Sequence, residues 1–269
     1  MIPFVLVWGG GDLASGVAIR LHRVGIRILI VETAQPMAVR RSVAFAQAVY
    51  DGEITIEDVR GQLIDSPEAM QACWVAGDIP VLVDSALNLM SGYPPLVLVD
   101  ARMKKVRVDI PLETAEMVIG LGPGFSAGKN CHTTVETNRG RYLGRVYWEG
   151  STQDDTGIPG KVGDYTAERV LYAPGDGQVQ AFVDIGDWVE QSDLIMIVGD
   201  HQIRAPFPGL VRGLIYPGLC VTVGTKVADI DPRPETYRCW TISEKSLAIG
   251  GGVLEAILTQ PDVRNKLWG

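Results

Sequence analysis

Cysteine is scarce in this chain of 269 residues, and its four thiols (Cys73, Cys131, Cys220 and Cys239) form no CxxC pair. That spacing excludes a disulfide framework or a zinc finger, so no metal site is expected. Positive charge is short as well. With 24 Lys and Arg against 32 Asp and Glu, the formal charge of −8 offers no general attraction to nucleic acid or to an anionic membrane. Long apolar runs are missing, and Met1-Ile2-Pro3 lacks the basic start and apolar core of a signal peptide. No membrane association is expected, and the cytoplasm is the expected compartment. What the chain does have is apolar content, 46% of residues, enough for a large buried core.

The stretch from Phe4 to Glu32 orders that content. An apolar run ends in Gly9-Gly10-Gly11, a helix-spaced segment follows, and a second run, Ile26 to Val31, ends on Glu32. This is a βαβ unit opening with Gly9-x-Gly11-x-x-Ala14, the dinucleotide fingerprint with alanine in third place. Gly9 turns the strand, Gly11 admits a diphosphate to the backbone, and Ala14 lets the helix lie close. Glu32 stands where an acid accepts hydrogen bonds from ribose hydroxyls, which favours an NAD-like over an NADP-like ligand. Asp12 opposes an anion in that loop and is a candidate helix cap. Gly11 and Gly16 have P-loop spacing, but Val17 and Ala18 replace the Lys and Ser/Thr a P-loop needs, which argues against that reading. The alternative to a ligand site is a helix packed tightly on a strand.

Farther on, VRRSVAFAQAVYDG reads as a helix closed by Gly52, with Arg40 and Arg41 in its first turn, placed for an anion or as a solvated basic surface. Ile54 to Val59 alternates like an edge strand, and Ser66-Pro67 starts a helix running to about Ala76. Ile79–Val83, Leu96–Val99 and Met117–Leu121 are continuous apolar runs of the kind buried on both sheet faces. They end on Asp84, on Asp100 and on the turn containing Gly122 and Gly124. Together with the glycine loop and Glu32, these residues fall at the C-terminal ends of five strands, the edge where open parallel sheets bind ligands. Thr133–Thr137 and Leu143–Trp148 read as a hairpin. Lys129, Cys131, His132 and Glu136 join Asp100 as candidates for chemistry, since a thiol beside an imidazole and a lysine can be activated. Core packing and surface exposure are the competing roles for that thiol and that histidine. Asp154 to Gly160 looks like a linker.

Beyond it the chain repeats itself. Ala173-Pro174-x-x-Gly177-x-Val179 returns 32 residues later as Ala205-Pro206-x-x-Gly209-x-Val211, and Gly186-x-x-Val189 as Gly218-x-x-Val221. Two such halves, each too small for its own core, predict twofold symmetry of the biotinyl/lipoyl sandwich type. The joining hairpin, Val198 to Gln202, has no lysine to carry biotin or lipoate. A last segment, SEKSLAIGGGVLEAIL, is helical by spacing with Ser243 as cap; its glycines, Gly250 to Gly252, demand a close neighbour or a break.

The expected fold is therefore α/β: a Rossmann-like parallel sheet over 1–165 with a hairpin extension, a small all-β barrel-sandwich hybrid over 170–232, and a C-terminal helical segment over 240–269 packing on the first domain. GGGDLASGVAIRL, VRRSVAFAQAVYDG, GLGPGF, HTTVETNRGRYLGRV, DTGIPG and IGGGVLEAIL, in that order, resemble the YqeB-type accessory proteins of selenium-dependent molybdenum hydroxylases. Arg141 departs from that pattern, standing where a histidine is expected. The family is distantly similar to the XdhC-like maturation factors of xanthine dehydrogenase. The resemblance implies a role in inserting, sulfurating or selenating a molybdenum cofactor. It also implies molybdopterin cytosine dinucleotide as a second candidate ligand, and an apoenzyme or cofactor-maturation protein as partner. An NAD-dependent oxidoreductase acting on a small molecule and a non-catalytic binding module are the alternatives; turnover and self-association stay open.

Overall fold

The computed structural model describes residues 2–104, 110–155, 157 and 165–268. The chain divides into two compact units, one of Met1–Pro36, Ala44–Asp155 and Ile242–Gly269, the other of Met37–Val43 and Thr156–Thr241. Among the described residues no helix is long and apolar enough to cross a membrane.

The larger unit is mixed α/β. Its strands are β1 (Val5–Trp8), β2 (Ile28–Glu32), β3 (Glu53–Ile56), β4 (Val59–Ile64), β5 (Ile79–Val83), β6 (Val97–Asp100), β7 (Met117–Leu121), β8 (Ser126–Ala127), β9 (Thr133–Val135), β10 (Val146–Tyr147) and β11 (Gly150–Ser151). Nine of them make one sheet in the order β10-β9-β7-β6-β1-β2-β5-β4-β3. Neighbours from β9 to β4 run parallel, and the outermost strands, β10 and β3, pair antiparallel. The chain builds from β1 toward β2 and β5 and then crosses to β6, so the order reverses beside β1. That reversal is a topological switch point, where strand C-termini leave a crevice. Continuous apolar runs form the central strands because both faces are covered; Val5, Leu6, Val7, Val97, Leu98 and Val99 are all buried.

Helix α1 (Asp12–Arg23) follows β1, and α2 (Ala48–Asp51) and α3 (Met70–Val75) lie between later strands. After α4 (Tyr237–Trp240) of the other unit come α5 (Glu244–Leu258) and α6 (Pro261–Trp268). The glycines of α5 answer to a close neighbour, and the helix is unbroken through them. A Cβ on Gly250 would stand 2.6 Å from the carbonyl oxygen of Gly16 in α1, and one on Gly252 would collide with that of Gly144. Ser243 caps α5, accepting the Ser246 N–H at 3.1 Å.

Two local expectations change. VRRSVAFAQAVYDG is not one helix but two 3-10 turns, Arg41–Val43 and Phe45–Gln47, followed by the single turn α2. The reason is that the chain passes from one unit to the other at Ala44, whose extended backbone breaks the helical run. The edge strand expected over Ile54 to Val59 is a hairpin of β3 and β4, turned at Glu57 with φ 55°.

The smaller unit contains two four-stranded antiparallel sheets. Its strands are β12 (Val170–Tyr172), β13 (Gly177–Ala181), β14 (Trp188–Val189), β15 (Leu194–Val198), β16 (His201–Arg204), β17 (Gly209–Leu214), β18 (Cys220–Val221) and β19 (Lys226–Asp231). The sheets run β12-β19-β17-β14 and β16-β15-β13-β18, so each draws strands from both sequence halves. Shifting by the repeat maps one sheet onto the other. Val179 pairs with Val198 as Val211 pairs with Ile230. Gly186 N–H donates to the Val211 carbonyl at 2.9 Å, and its equivalent, Gly218 N–H, donates to that of Val179 at 2.8 Å. The expected linker at 154–160 lies largely outside the described residues.

Candidate functional site

The C-terminal ends of the parallel strands gather the glycine turn and most of the acids anticipated from sequence. The turn is held in place from below. Gly9, at φ 97°, lets the chain leave β1, and its N–H donates to Val31 O at 2.8 Å. Glu32 accepts from Gly10 N–H through Oε2 and from Thr33 N–H through Oε1, both at 2.8 Å. The acid read as a ribose acceptor thus first clamps the glycine turn, using one lone pair on each oxygen. Gly10 must be glycine for packing, since a Cβ there would lie 2.9 Å from the backbone nitrogen of Ala46. That nitrogen donates to Gly10 O at 2.9 Å, and Ser15 Oγ accepts from Phe45 N–H at 2.9 Å. One side of the turn is therefore covered by residues 44–47 of the same unit.

The other side is open. A Cβ at Gly11 would meet nothing within 4 Å. Gly11, rather than Asp12, is the N-cap of α1, with φ −66° and ψ −179° and no side-chain cap. Asp12 therefore stands inside the first turn of α1 and not at the cap position it was a candidate for. Ala14 is fully buried against the sheet. Lys245, in the first turn of α5, lies within electrostatic reach of Asp12, Glu136 and Asp155; its ammonium is held below the usual lysine range by burial first, with Arg139 adding to it and the three carboxylates opposing. Glu136 is wholly buried and accepts Asn138 N–H at 2.7 Å and Gln153 N–H at 2.8 Å.

Two acids turn out to be occupied. Asp84 accepts from Asn88 N–H at 2.9 Å and Leu89 N–H at 2.8 Å, organising the loop after β5. Asp100, 1% exposed, is gripped by the Arg102 guanidinium through Nε at 3.0 Å and through Nη2. Arg102 in turn lies over the Trp8 ring, 3.4 Å from its centroid. Both oxygens of Asp100 are thus committed to Arg102, which argues against the catalytic role considered for it. Gly122, at φ 74°, brings the chain hard against Thr137 Oγ1, and Gly124 has φ 95°. Asn130 Nδ2 donates to Gly124 O at 2.9 Å.

Lys129, Cys131 and His132 are elsewhere. The return from β7 to the parallel strand β9 carries them to the N-terminal edge, where His132 N–H donates to Val118 O and His132 Nδ1 accepts Val118 N–H, both at 2.9 Å. Cys131 is fully buried, and desolvation pushes its thiol up to about 11, against activation as a nucleophile. Lys129 is exposed in a turn. Adjacent in sequence, the three are roughly 10 Å along the strands from the glycine turn. Arg40 and Arg41 also form no anion site at a helix start: Arg40 is buried and donates to Arg238 O at 3.3 Å, and Arg41 to Leu214 O at 3.1 Å, all within the smaller unit. Among the described residues no three His, Cys, Asp or Glu are placed to hold a metal ion.

Trp8, Arg102 and Lys245 were not singled out from sequence. Asp100-x-Arg102 at a strand end was a usable local signal, but Lys245 had none, being brought to Asp12 only by helix packing.

Fold and site together define a mixed α/β protein with a glycine turn at the switch point of a large sheet, joined to a repeat-built β unit. No family model matches the chain. Over 254 residues, 94% of this chain, it is 45% identical to a protein of Escherichia coli (strain K12) called uncharacterized protein YqeB. The match takes in 47% of that protein, so the chain spans about half the length of the curated relative it resembles. Solved structures give only distant likeness. An aspartoacylase family protein from Mesorhizobium loti is 12% identical with a TM-score of 0.27, covering 87% of this chain and 86% of that one. The product-bound ectoine utilization protein EutE (DoeB) from Ruegeria pomeroyi is 13% identical with a TM-score of 0.25, covering 85% of each chain. Scores that low carry no argument about this chain.

Proposed function

We propose that this chain is an accessory protein in the maturation of a selenium-dependent molybdenum hydroxylase, and that its larger unit, a Rossmann-like domain, holds a nucleotide at the glycine turn. The observation that carries the ligand is the open start of α1 at the switch point, where Gly11, the N-cap, leaves room for a diphosphate. A dinucleotide fits that cradle in part. Gly11 and the first turn of α1 would hold its diphosphate, Glu32 retains lone pairs for ribose hydroxyls, and Lys245 would set a cation against the opposing charge of Asp12. NAD-like dinucleotides and molybdopterin cytosine dinucleotide share these groups, and the likeness to YqeB-type proteins favours the pterin form. The chain would act in the cytoplasm on the apoenzyme or on a cofactor-maturation protein, assisting insertion, sulfuration or selenation.

The smaller unit is read as a barrel-sandwich hybrid that docks a partner. Its two interlocked sheets support this, and so does the exposed β15–β16 tip, Gly199-Asp200, without a lysine. An NAD-dependent oxidoreductase is less supported, because Asp100 is committed to Arg102 while Lys129 and His132 sit at the other edge.

Gly11→Val tests the site cleanly, since its backbone angles suit any residue. Calorimetric titration of the full chain with cytidine diphosphate and with NAD should give saturable binding of at least one, weakened tenfold or more by the substitution. Binding that is absent, or indifferent to Gly11→Val, would overturn the ligand assignment. For the maturation role, a hydroxylase co-expressed with and without the protein should differ in selenium or sulfur per molybdenum.

A further inference from the structure

A cavity of about 250 Å³ opens in the larger unit beside the start of β1, at the opposite end of that strand from the glycine turn. Phe4, Trp74 and Tyr93 line it, with Met70, Ile2 and Glu68. The aromatic wall is fixed in place. Phe4 is 1% exposed and packs on Trp74 with ring centroids 5.6 Å apart, and the Trp74 indole N–H donates to Ile28 O at 2.7 Å. At the rim, Glu68 Oε1 accepts the Tyr93 hydroxyl at 2.7 Å. Hydrogen bonds from Ser66, from Tyr93 and from backbone hold the Glu68 carboxyl down to about 2, so it is charged at neutral pH.

None of the lining residues is cationic. A cavity of aromatic rings with one ionised carboxylate at its mouth is selective by charge. Ring quadrupoles attract cations, the carboxylate repels anions, and the apolar wall disfavours strongly hydrated ions such as sodium. Its volume lies just below the usual span of small-molecule sites, which limits the occupant to a compact molecule.

We propose that this cavity binds a small organic cation, an ammonium group with apolar substituents. The site is independent of the nucleotide reading and stands on the other side of the sheet's strand ends from it. Choline and its neutral carbon isostere, neohexyl alcohol, are the probes, titrated into the full chain by calorimetry and by ligand-observed NMR. Choline should bind saturably and about tenfold more tightly than the alcohol. Glu68→Gln, at an exposed position that keeps the bond to Tyr93, should weaken choline about tenfold and leave the alcohol unchanged. Trp74→Leu should weaken both probes. Equal affinity for the two would show an apolar cavity without charge selection and overturn the proposal, as would unsaturable choline or a Glu68→Gln chain that binds choline as before.

Discussion

Asp100 with Arg102 in the larger unit and Asp231 with Arg233 in the smaller are the same corner at the ends of two unrelated strands. In each, the arginine lies two residues after the acid and its backbone N–H donates to Oδ1 at 3.1 Å. The guanidinium then folds back as a fork on both carboxylate oxygens. The acids are nearly alike in burial, with side chains 1% and 2% exposed. What differs is the company. Arg102 lies over Trp8 beside the switch point, whereas Asp231 is shared with a second, buried arginine, Arg212, 3.7 Å away. The pairing ends a strand with its carboxylate satisfied and by itself says nothing of chemistry. A buried acid at a strand end marks a site only if something besides its own arginine depends on it.

Removing each acid separates the two cases. Asp231→Asn should be the costlier, about 4 kcal/mol, because it removes the carboxylate paired with buried Arg212 and leaves that guanidinium only the more distant charge of Asp229. Arg212 is already held below its normal range by burial and then by Arg40. Asp100→Asn should cost about 2 kcal/mol, since Arg102 keeps the Trp8 ring and an edge toward water. Denaturant unfolding monitored separately for the two units reads both values, and equal losses would mean that Arg212 does not depend on Asp231. Acid should act on the same contrast. Burial pushes the Asp231 carboxyl up, but hydrogen bonds from Arg233 and the charges of Arg233 and Arg212 outweigh it and leave its pKa lowered. A depressed carboxylate contributes stability that is present above the unfolded value, near 3.8, and lost as pH falls through the folded one. Asp231→Asn should remove that portion of the acid limb of the smaller unit.

The corners also show what a sequence can display. The repeat of the smaller unit was visible because residues 32 apart do the same work, down to the reciprocal bonds of Gly186 and Gly218. Strands Ile79–Val83 and Met117–Leu121 were visible because burial of all but Val83 writes an uninterrupted apolar run. Misplacements arose where neighbours in sequence part in space. Lys129, Cys131 and His132 follow the turn at Gly122 and Gly124 closely, yet the return to a parallel strand takes them to the opposite edge. Residues 39–52 have helical spacing, but the chain changes unit within them. The glycines of α5 announced a close neighbour without naming it, because Gly16 and Gly144 are reached only through the tertiary fold.

The Trp8 contact is the feature that sets the first corner apart, and Trp8→Leu tests it with a smaller effect, about 1 kcal/mol. Asp100→Asn measured in that background should then cost more than in the wild type, since Arg102 has lost both partners; strict additivity would mean that the ring does not support the guanidinium.

The smallest expected effect compares thiols of the two units. Burial alone pushes Cys131 up to about 11, with hydrogen bonds from the Gly120 and Ser126 backbone opposing. Cys239 is also raised by burial, but Arg212 and Arg40 pull it back. A thiol raised in the folded state contributes stability below its unfolded value, near 9, that is lost as pH rises through the folded one. Between pH 9 and 11 iodoacetamide should therefore label exposed Cys220 first and Cys239 next, with Cys131 last, read by peptide mass spectrometry. Early labelling of Cys131 at neutral pH would restore it as a nucleophile. Asp231→Asn should hasten Cys239 and leave Cys131 unchanged, because removing that carboxylate lets the arginine charge favour the thiolate.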